Sequence, residues 1–226
     1  MALDMATFRV RAITALVFVA VMMGGVLFHP VAYRILIAMI MGGCGYELVQ
    51  LLTRITKKKY SFSLLLILPY VILPMLFLFD LGVRSPLTEE RFSPLLPCAI
   101  IFSIWVNDTM AYIMGSLIGK TPLSRFSPKK TWEGTIGGIL LSVAVITWLG
   151  TLIPMAAVLK WNNWMQIALI CSVAGTIGDL WESFLKRRAG VKDSGNIMPG
   201  HGGFLDRFDS LLFAAPAVWA YVKWVL

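Results

Sequence analysis

Carboxylates recur inside apolar stretches of this sequence, at spacings that place several of them on common helix faces. A first group at positions i, i+3, i+4 and i+7 comprises Asp179, Glu182, Ser183 and Lys186. A second pair, Asp206 and Asp209, stands at i and i+3. A carboxylate within a membrane-spanning helix costs a few kcal/mol, so it indicates a functional site and needs a partner. We expect both groups to converge with Asp108, which lies in another apolar segment.

Clustered carboxylates are ligands of hard cations. No cysteine lies near these groups and His201 is the only histidine close to them, so the donor set favours Mg²⁺. The alternative is ion pairing within the membrane, with Lys186, Arg187 or Arg207 as partners. Glu47 stands alone after "GGCGY", and its type and position leave open a site role or a hydrogen bond in helix packing.

Basic and glycine-rich loops lie close to these carboxylates in the sequence. The loop "GKTPLSRFSPKKTWEG" contains Lys120, Arg125, Lys129 and Lys130, interleaved with Gly, Ser and Thr. Ser127 followed by Pro128 predicts a helix cap and a first helical residue, an arrangement that binds anions. In "PGHGG" the glycines let main-chain N–H groups approach a phosphate, and His201 is either a loop histidine or a base. Together these features indicate metal-assisted phosphate chemistry, with a lipid as the second substrate.

The composition indicates which solvent surrounds these elements. Hydrophobic types make up 58% of the 226 residues and charged types 14%, whereas soluble domains average about 25% charged residues. Such a chain cannot cover a globular surface with polar groups, so lipid is its natural solvent. The net charge of +8 comes from loops between apolar runs, which the positive-inside rule explains without nucleic acid.

Seven apolar segments predict an all-α integral membrane protein, a polytopic bundle of about seven transmembrane helices. They cover residues 9–28, 31–53, 62–81, 94–118, 132–153, 163–185 and 204–226. Most of the Lys and Arg residues fall on one side, which predicts a cytoplasmic N-terminus and acidic clusters that face the cytoplasm. We expect a single transmembrane domain over 1–226, with N-terminal helices in 1–93 and catalytic helices and loops in 94–226.

The C-terminal half also resembles a known family. From Ser183 to Asp209 the chain reads "SFLKRRAGVKDSGNIMPGHGGFLDRFD", which resembles the signature of phosphatidate cytidylyltransferases, or CDP-diacylglycerol synthases. The elements S-x-x-K-R, K-D, P-G-H-G-G and D-R-x-D follow at the family's spacings, and Met198 departs from its usual Leu, Ile or Phe. "NDTMAYIMGSLIGKTPLSRFSPKKTWEGTIGG" and "GDLWESFLKR" are similar too. The resemblance runs from about Asn107 to Pro216, and the N-terminal half is similar in hydropathy alone.

The resemblance implies an activity, a cofactor and a site. CMP would pass from CTP to phosphatidic acid, giving CDP-diacylglycerol and pyrophosphate, with one or two Mg²⁺ ions and room for a monovalent cation. The implied metal ligands are Asp179, Asp206 and Asp209, and Asp108 would hold metal or nucleotide. Phosphates would be neutralised by Lys129, Lys130, Lys186, Arg187 and Arg207, of which Lys186 and Arg207 join the aspartates as catalytic residues. The remaining substrate-binding candidates are Ser127, Thr131, Ser183, Lys192, Asp193, His201 and Glu133, the last expected to orient a lysine. A homodimer in a bacterial inner membrane is the simplest assembly and location.

Two rival functions lead to different expectations. A CTP-dependent kinase of a lipid alcohol, of the dolichol or phytol type, would transfer the γ-phosphate and release CDP, but the K-D…P-G-H-G-G-x-x-D-R-x-D string argues against it. A proton-coupled carrier would use buried acids as an ion pathway and would show inverted repeats or paired broken helices. The sequence shows neither feature.

Overall fold

The computed structural model describes residues 5–56, 65–84, 87, 92–197 and 202–226, with side chains described from residue 12 onward. The helices of this described part are α1 (Met5–Leu27), α2 (Pro30–Thr56), α3 (Leu65–Val83), α4 (Leu95–Ile118), α5 (Trp132–Leu152), α6 (Trp161–Arg188) and α7 (Leu205–Trp224). Pro154–Val158 forms a 3₁₀ turn between α5 and α6. The prediction of an all-α polytopic membrane protein is confirmed.

The helices differ in how well they suit a bilayer. Within the described residues, the five helices α2 to α6 are long and apolar enough to cross a membrane. The described apolar part of α1, Ala12–Leu27, is shorter. The seventh predicted segment forms α7, which carries charge at both ends and is not one of the five. The orientation stays a prediction, and Lys57, Lys58 and Lys59, on which it partly rests, lie outside the described residues.

Helix α3 is irregular where prolines interrupt the third apolar segment. Residues Leu68–Ile72 of α3 form a π-helical turn, and Leu73–Val83 continues as α-helix. Pro74 has no N–H to donate to the carbonyl one turn earlier, and Pro69 lies inside the widened turn. A π turn is one of the ways in which a helix accommodates such a break in its ladder.

The loop before α5 contains a β-hairpin that the sequence did not predict. Strands β1 (Pro122–Ser124) and β2 (Ser127–Thr131) pair antiparallel, with Pro122 opposite Thr131 and Ser124 opposite Ser127. The expectation that Ser127 caps a helix starting at Pro128 is therefore wrong. The chain stays extended through Thr131, which has φ −120° and ψ 153° and caps α5 through Oγ1, which accepts from the Gly134 N–H at 3.1 Å.

The described residues fall into two compact units. The first lies within Met1–Ile72 and Leu185–Phe208, and the second within Leu73–Phe184 and Asp209–Leu226. Three helices, α3, α6 and α7, contribute residues to both units. This partition differs from a division of the chain at residue 93, and the single-domain interpretation stays a prediction.

Small residues set the packing inside the second unit, where α4 and α5 lie backbone to backbone. A Cβ atom placed on Gly138 would lie 2.7 Å from the Cβ of Ala111, and one on Gly134 would lie 2.8 Å from the Cα of Gly115. Side chains larger than hydrogen at these α5 positions would push the helices apart. The "GTIGG" sequence thus serves a helix contact within the chain.

Candidate active site

Lys130, near the end of β2, lies among three carboxylates of the second unit. Its ammonium group forms an ion pair with Asp179 on α6, and it is also attracted by Asp108 on α4 and Asp209 on α7. Burial alone would lower the pKa of Lys130, but the attraction and hydrogen bond of Asp179, with the attraction of Asp108 and Asp209, outweigh it and raise that pKa. Lys130 is therefore a cation at neutral pH. The three acids thus share one cationic neighbour, and their convergence on a common metal ion stays a prediction.

The helix backbones position two of these carboxylates. A Cβ atom on Gly178 would lie 2.5 Å from the main-chain oxygen of Asp209 and 3.0 Å from the Phe213 ring. Asp179 follows Gly178 directly, so both aspartates stand where α6 and α7 touch. Asp209 is buried, with 7% of its surface exposed, and Asp179 is half-buried.

Glu133 stabilises the base of the hairpin that carries Lys130. Its carboxylate accepts from the main-chain N–H groups of Lys120 and Thr121, each at 3.1 Å, and from the Thr121 hydroxyl at 2.8 Å. The expectation that Glu133 orients a lysine side chain is corrected here. Glu133 lies in the first turn of α5, where the incoming chain passes, so main-chain donors are its nearest partners.

In the first unit, Asp206 is held from three directions. Its Oδ1 accepts from Lys186 Nζ at 2.6 Å, and its Oδ2 accepts from the N–H groups of Gly203 at 2.7 Å and Ser194 at 3.0 Å. The side chains of Lys186 and Asp206 are only 12% and 6% exposed. The ion-pair alternative derived from the sequence is thus realised for Lys186, while Asp179 has the unforeseen partner Lys130.

Glu47, whose role the sequence left open, also accepts three hydrogen bonds in the first unit. Its Oε1 accepts from the Phe204 N–H at 2.8 Å, and its Oε2 accepts from the Leu205 N–H at 2.8 Å and the Ser194 hydroxyl at 2.6 Å. Glu47 is 1% exposed. A lone carboxylate in an apolar helix was the available signal, but its partners lie 147 to 158 residues away along the chain.

The other predicted site residues have varied surroundings. Exposed side chains are Asp108, Lys129, Arg187, Lys192, Asp193 and Arg207. Arg187 donates to the Val191 carbonyl at 3.0 Å, which fastens the chain beyond α6. Ser183 is buried on α6, and Ser127 is half-buried at the start of β2. His201 lies outside the described residues.

The donor chemistry of the carboxylate cluster suits Mg²⁺. Asp179 pairs with the Lys130 ammonium, Asp108 and Asp209 also attract it, and carboxylate oxygens are the ligands that hard divalent cations prefer. Within the described residues, no three His, Cys, Asp or Glu side chains are placed to hold a metal directly. Two of the predicted ligands form ion pairs instead, Asp179 with Lys130 and Asp206 with Lys186. Metal binding by Asp179, Asp206 and Asp209 therefore stays a prediction.

The amino-acid sequence is similar to those of several phosphatidate cytidylyltransferases. Similar proteins include the phosphatidate cytidylyltransferase of Synechocystis sp., 45% identical over 130 residues, which are 54% of this chain and 41% of the relative. That of Thermotoga maritima is 43% identical over 129 residues, 55% of this chain and 47% of the relative. Phosphatidate cytidylyltransferase 4, chloroplastic, of Arabidopsis thaliana is 42% identical over 138 residues, 57% and 33% respectively.

The chain spans less than half the length of these curated relatives. A family model described as "Cytidylyltransferase family" matches residues 55–225. The matched range includes Lys130, all three of its carboxylate neighbours and the Lys186–Asp206 pair, and it begins after Glu47. Since the match covers most of the sequence, the chain belongs to the cytidylyltransferase family.

Proposed function

We propose that this protein is a phosphatidate cytidylyltransferase that transfers CMP from CTP to phosphatidic acid and releases pyrophosphate. The observation that carries the proposal is the Lys130 cluster, in which a basic hairpin meets the carboxylates Asp108, Asp179 and Asp209. Such a cluster has the charges needed to bind a metal-nucleotide. Relatives with 42% to 45% identity bear the name phosphatidate cytidylyltransferase, which supports the same choice of substrates.

The proposed reaction does not depend strongly on a general base. A phosphate monoester is largely dianionic near neutral pH, because its second pKa is about 6, so an oxygen of phosphatidic acid is already a nucleophile. That oxygen forms a bond to the α-phosphorus of CTP, the bond from this phosphorus to the β-phosphate oxygen breaks, and pyrophosphate leaves with the electron pair. Catalysis then depends on positioning and on neutralising charge at the phosphates.

The chain's own residues divide these tasks. Mg²⁺ held by Asp179, Asp206 and Asp209 would supply charge neutralisation at the α-phosphate and the leaving group. Lys130 and Lys186 are cations already held beside the aspartates, so each can exchange a carboxylate for a phosphate oxygen. Further phosphate contacts fall to Lys129, Arg187 and Arg207. Asp108, Ser127, Thr131, Ser183, Lys192, Asp193 and His201 complete the nucleotide-binding and lipid-binding set, and Glu133 acts on the hairpin.

Several apolar helices make this a multi-pass membrane protein. The finer location that we propose is a bacterial inner membrane with the site facing the cytoplasm, on the strength of the Lys and Arg distribution. In that orientation CTP arrives from the cytosol and phosphatidic acid from the bilayer. A homodimer is the proposed assembly.

The test uses the full chain, purified in detergent, with phosphatidic acid, Mg²⁺ and CTP labelled at the α-phosphate. Label in the lipid phase, stoichiometric pyrophosphate and loss of both on chelation are the expected results. If the lipid stays unlabelled and CDP forms when a polyprenol or phytol is supplied with γ-labelled CTP, the protein is a lipid-alcohol kinase. If neither product forms, the nucleotidyltransferase proposal is overturned.

A further inference from the structure

Glu47 lies upstream of the residues that match the family, on the membrane-spanning helix α2, and yet it contacts the loop that leads into α7. We infer that Glu47 is a positioning residue for Asp206: it fixes Ser194 and the first turn of α7, and through them the direction of the Asp206 carboxylate. The kinetic part of this inference rests on the proposed function, whereas its structural part does not.

The first step is the start of α7. The helix begins at Leu205, so the N–H groups of Phe204 and Leu205 have no acceptor within the helix. Glu47 accepts both, through Oε1 and Oε2 respectively, at 2.8 Å each. A carboxylate at a helix N-terminus is also favoured by the helix dipole. Glu47 thus caps α7 from a distant helix, a task that local Ser, Thr or Asp side chains usually perform.

The second step connects Glu47 to Asp206 through one serine. The Ser194 hydroxyl donates its proton to Glu47 Oε2 at 2.6 Å, which leaves its oxygen free to accept the Asp206 N–H at 3.3 Å. The Ser194 N–H donates to Asp206 Oδ2 at 3.0 Å. Ser194 therefore contacts both the main chain and the side chain of Asp206, and its own orientation is set by Glu47.

The third step is how tightly the loop encloses the carboxylate. A Cβ atom on Gly195 would lie 2.3 Å from Glu47 Oε1, and one on Gly203 would lie 2.4 Å from Oε2 and 2.1 Å from Ser194 Oγ. A side chain at either position would collide with the Glu47 carboxylate where it now lies. A hydrogen bond that merely satisfied a polar group in helix packing would need one donor, whereas here three donors and two glycines converge on Glu47.

The structural test is hydrogen–deuterium exchange on the full chain in detergent, without Mg²⁺ or nucleotide. We expect Glu47→Ala to speed exchange at the Phe204 and Leu205 amides about tenfold or more, because these N–H groups lose their acceptor. Glu47→Gln keeps one acceptor oxygen, so its exchange at these amides should be faster than in the wild type and slower than in Glu47→Ala. It replaces the alanine variant in this test if that variant does not fold. Gln50→Ala, on the same helix, is the matched control and should leave both amides unchanged. Unchanged exchange in Glu47→Ala would overturn the inference.

The functional test separates positioning from stability. Initial rates of CMP transfer are measured against Mg²⁺ concentration for wild type, Glu47→Gln, Ser194→Ala and the double variant. A misdirected Asp206 should lower kcat about 10–100-fold and raise the Mg²⁺ concentration for half-maximal rate. Loss of folded protein would lower the maximal rate and leave that concentration unchanged, which would refute the positioning role.

The double variant provides an independent check. If Glu47 acts through Ser194, the loss in the double variant should match the larger single loss within about twofold, since residues in one network are not additive. If the fold-loss of the double variant equals the product of the two single losses, Glu47 and Ser194 have separate roles and the inference is contradicted. If the wild-type protein makes no CDP-diacylglycerol, the proposed function fails, while the exchange experiment still decides whether Glu47 holds α7.

Discussion

The backbone of α6 at Gly178 touches the main-chain carbonyl of Asp209 on α7. A methyl group at residue 178 would stand 2.5 Å from that oxygen, well inside the contact distance of carbon and oxygen. Because Asp179 is the next residue, the glycine controls the separation between two of the carboxylates that attract Lys130. The spacing of these acids is therefore set by the absence of a side chain at Gly178.

Gly178→Ala should force α6 and α7 apart. We expect a loss of about 1–3 kcal/mol in the free energy of unfolding from overpacking, and a fall in CMP transfer larger than the loss of folded protein explains. Thermal unfolding in detergent and initial rates measure the two effects. Gly24→Ala is the matched control, because a Cβ atom there meets nothing within 4 Å and alanine favours helices by up to about 1 kcal/mol. Equal unfolding temperatures and equal rates of CMP transfer in the two variants would contradict this prediction.

If the proposed function holds, Asp209→Asn should lower CMP transfer about 100-fold or more, because a neutral amide would be a weaker ligand for the proposed Mg²⁺ and would not balance the charge of Lys130. The measurement is the initial rate at saturating CTP and Mg²⁺. Asp80→Asn is the control, since the Asp80 carboxylate accepts from Trp219 Nε1 at 2.8 Å and pairs with Lys223 at 3.2 Å, away from the Lys130 cluster. Full activity of an Asp209→Ala protein at ordinary Mg²⁺ would disprove the metal assignment.

The stability that Lys130 contributes should depend on pH only in the alkaline range. Its pKa is raised above the ordinary 10.5, so the native state holds the proton more tightly than the unfolded chain does. The contribution is complete below 10.5 and declines as the pH rises through the native value. The difference in thermal midpoint between wild type and Lys130→Met should thus stay constant from about pH 6 to 9. Lys129→Met, at an exposed position, should change the midpoint less, and a difference that vanished by pH 8 would refute the assignment.

Thr131→Ala should destabilise α5, because the Gly134 N–H loses the Oγ1 acceptor that caps the helix. The expected cost is about 1 kcal/mol in the free energy of unfolding, measured by chemical denaturation in detergent. Thr131→Ser retains the hydroxyl and should restore most of the loss. If Thr131→Ser loses as much free energy of unfolding as Thr131→Ala, the helix cap does not explain the destabilisation.

Glu133→Gln should loosen the base of the hairpin. The amide keeps one acceptor oxygen where the carboxylate receives three donors from Lys120 and Thr121, so the segment before β1 should open more often. Limited trypsin digestion should then cut after Lys120 several-fold faster than in the wild type, as local opening controls proteolysis. Cleavage after Lys160, a residue outside the hairpin, provides the internal reference. An unchanged ratio of the two cleavages would count against the role of Glu133.

The apolar helices were predictable because lipid imposes a composition that can be read without tertiary contacts. Predicted segments 94–118 and 132–153 became Leu95–Ile118 and Trp132–Leu152. The hairpin was not predictable, since its strands are short and polar and contain two prolines, and nothing in them alternates. Ser127 followed by Pro128 fits a helix start, but strand pairing satisfies the backbone there and Thr131 supplies the cap four residues later.

The acidic residues were recognisable from the sequence, but most of their partners were not. Lys186 was a foreseeable partner because it shares a short segment of sequence with Asp206. Lys130 lies 49 residues before Asp179, and Glu47 lies 147 residues before Ser194, so neither pairing leaves a local pattern. Spacing within one helix reveals which carboxylates share a face, whereas tertiary folding decides which cation or N–H group meets them.

The hydrogen bonds of Glu47 also set an order of events during synthesis of the chain. A ribosome that adds about 5–20 residues per second needs about 8–30 s to travel from Glu47 to its donors, which lie 147 to 158 residues downstream. Helix α2 therefore emerges, and can enter the translocon, well before Ser194, Phe204 and Leu205 exist. The first unit can be completed only when nearly all of this sequence has been translated, so a stalled or truncated nascent chain would hold the Glu47 carboxylate in α2 without the three donors that it meets in the folded protein.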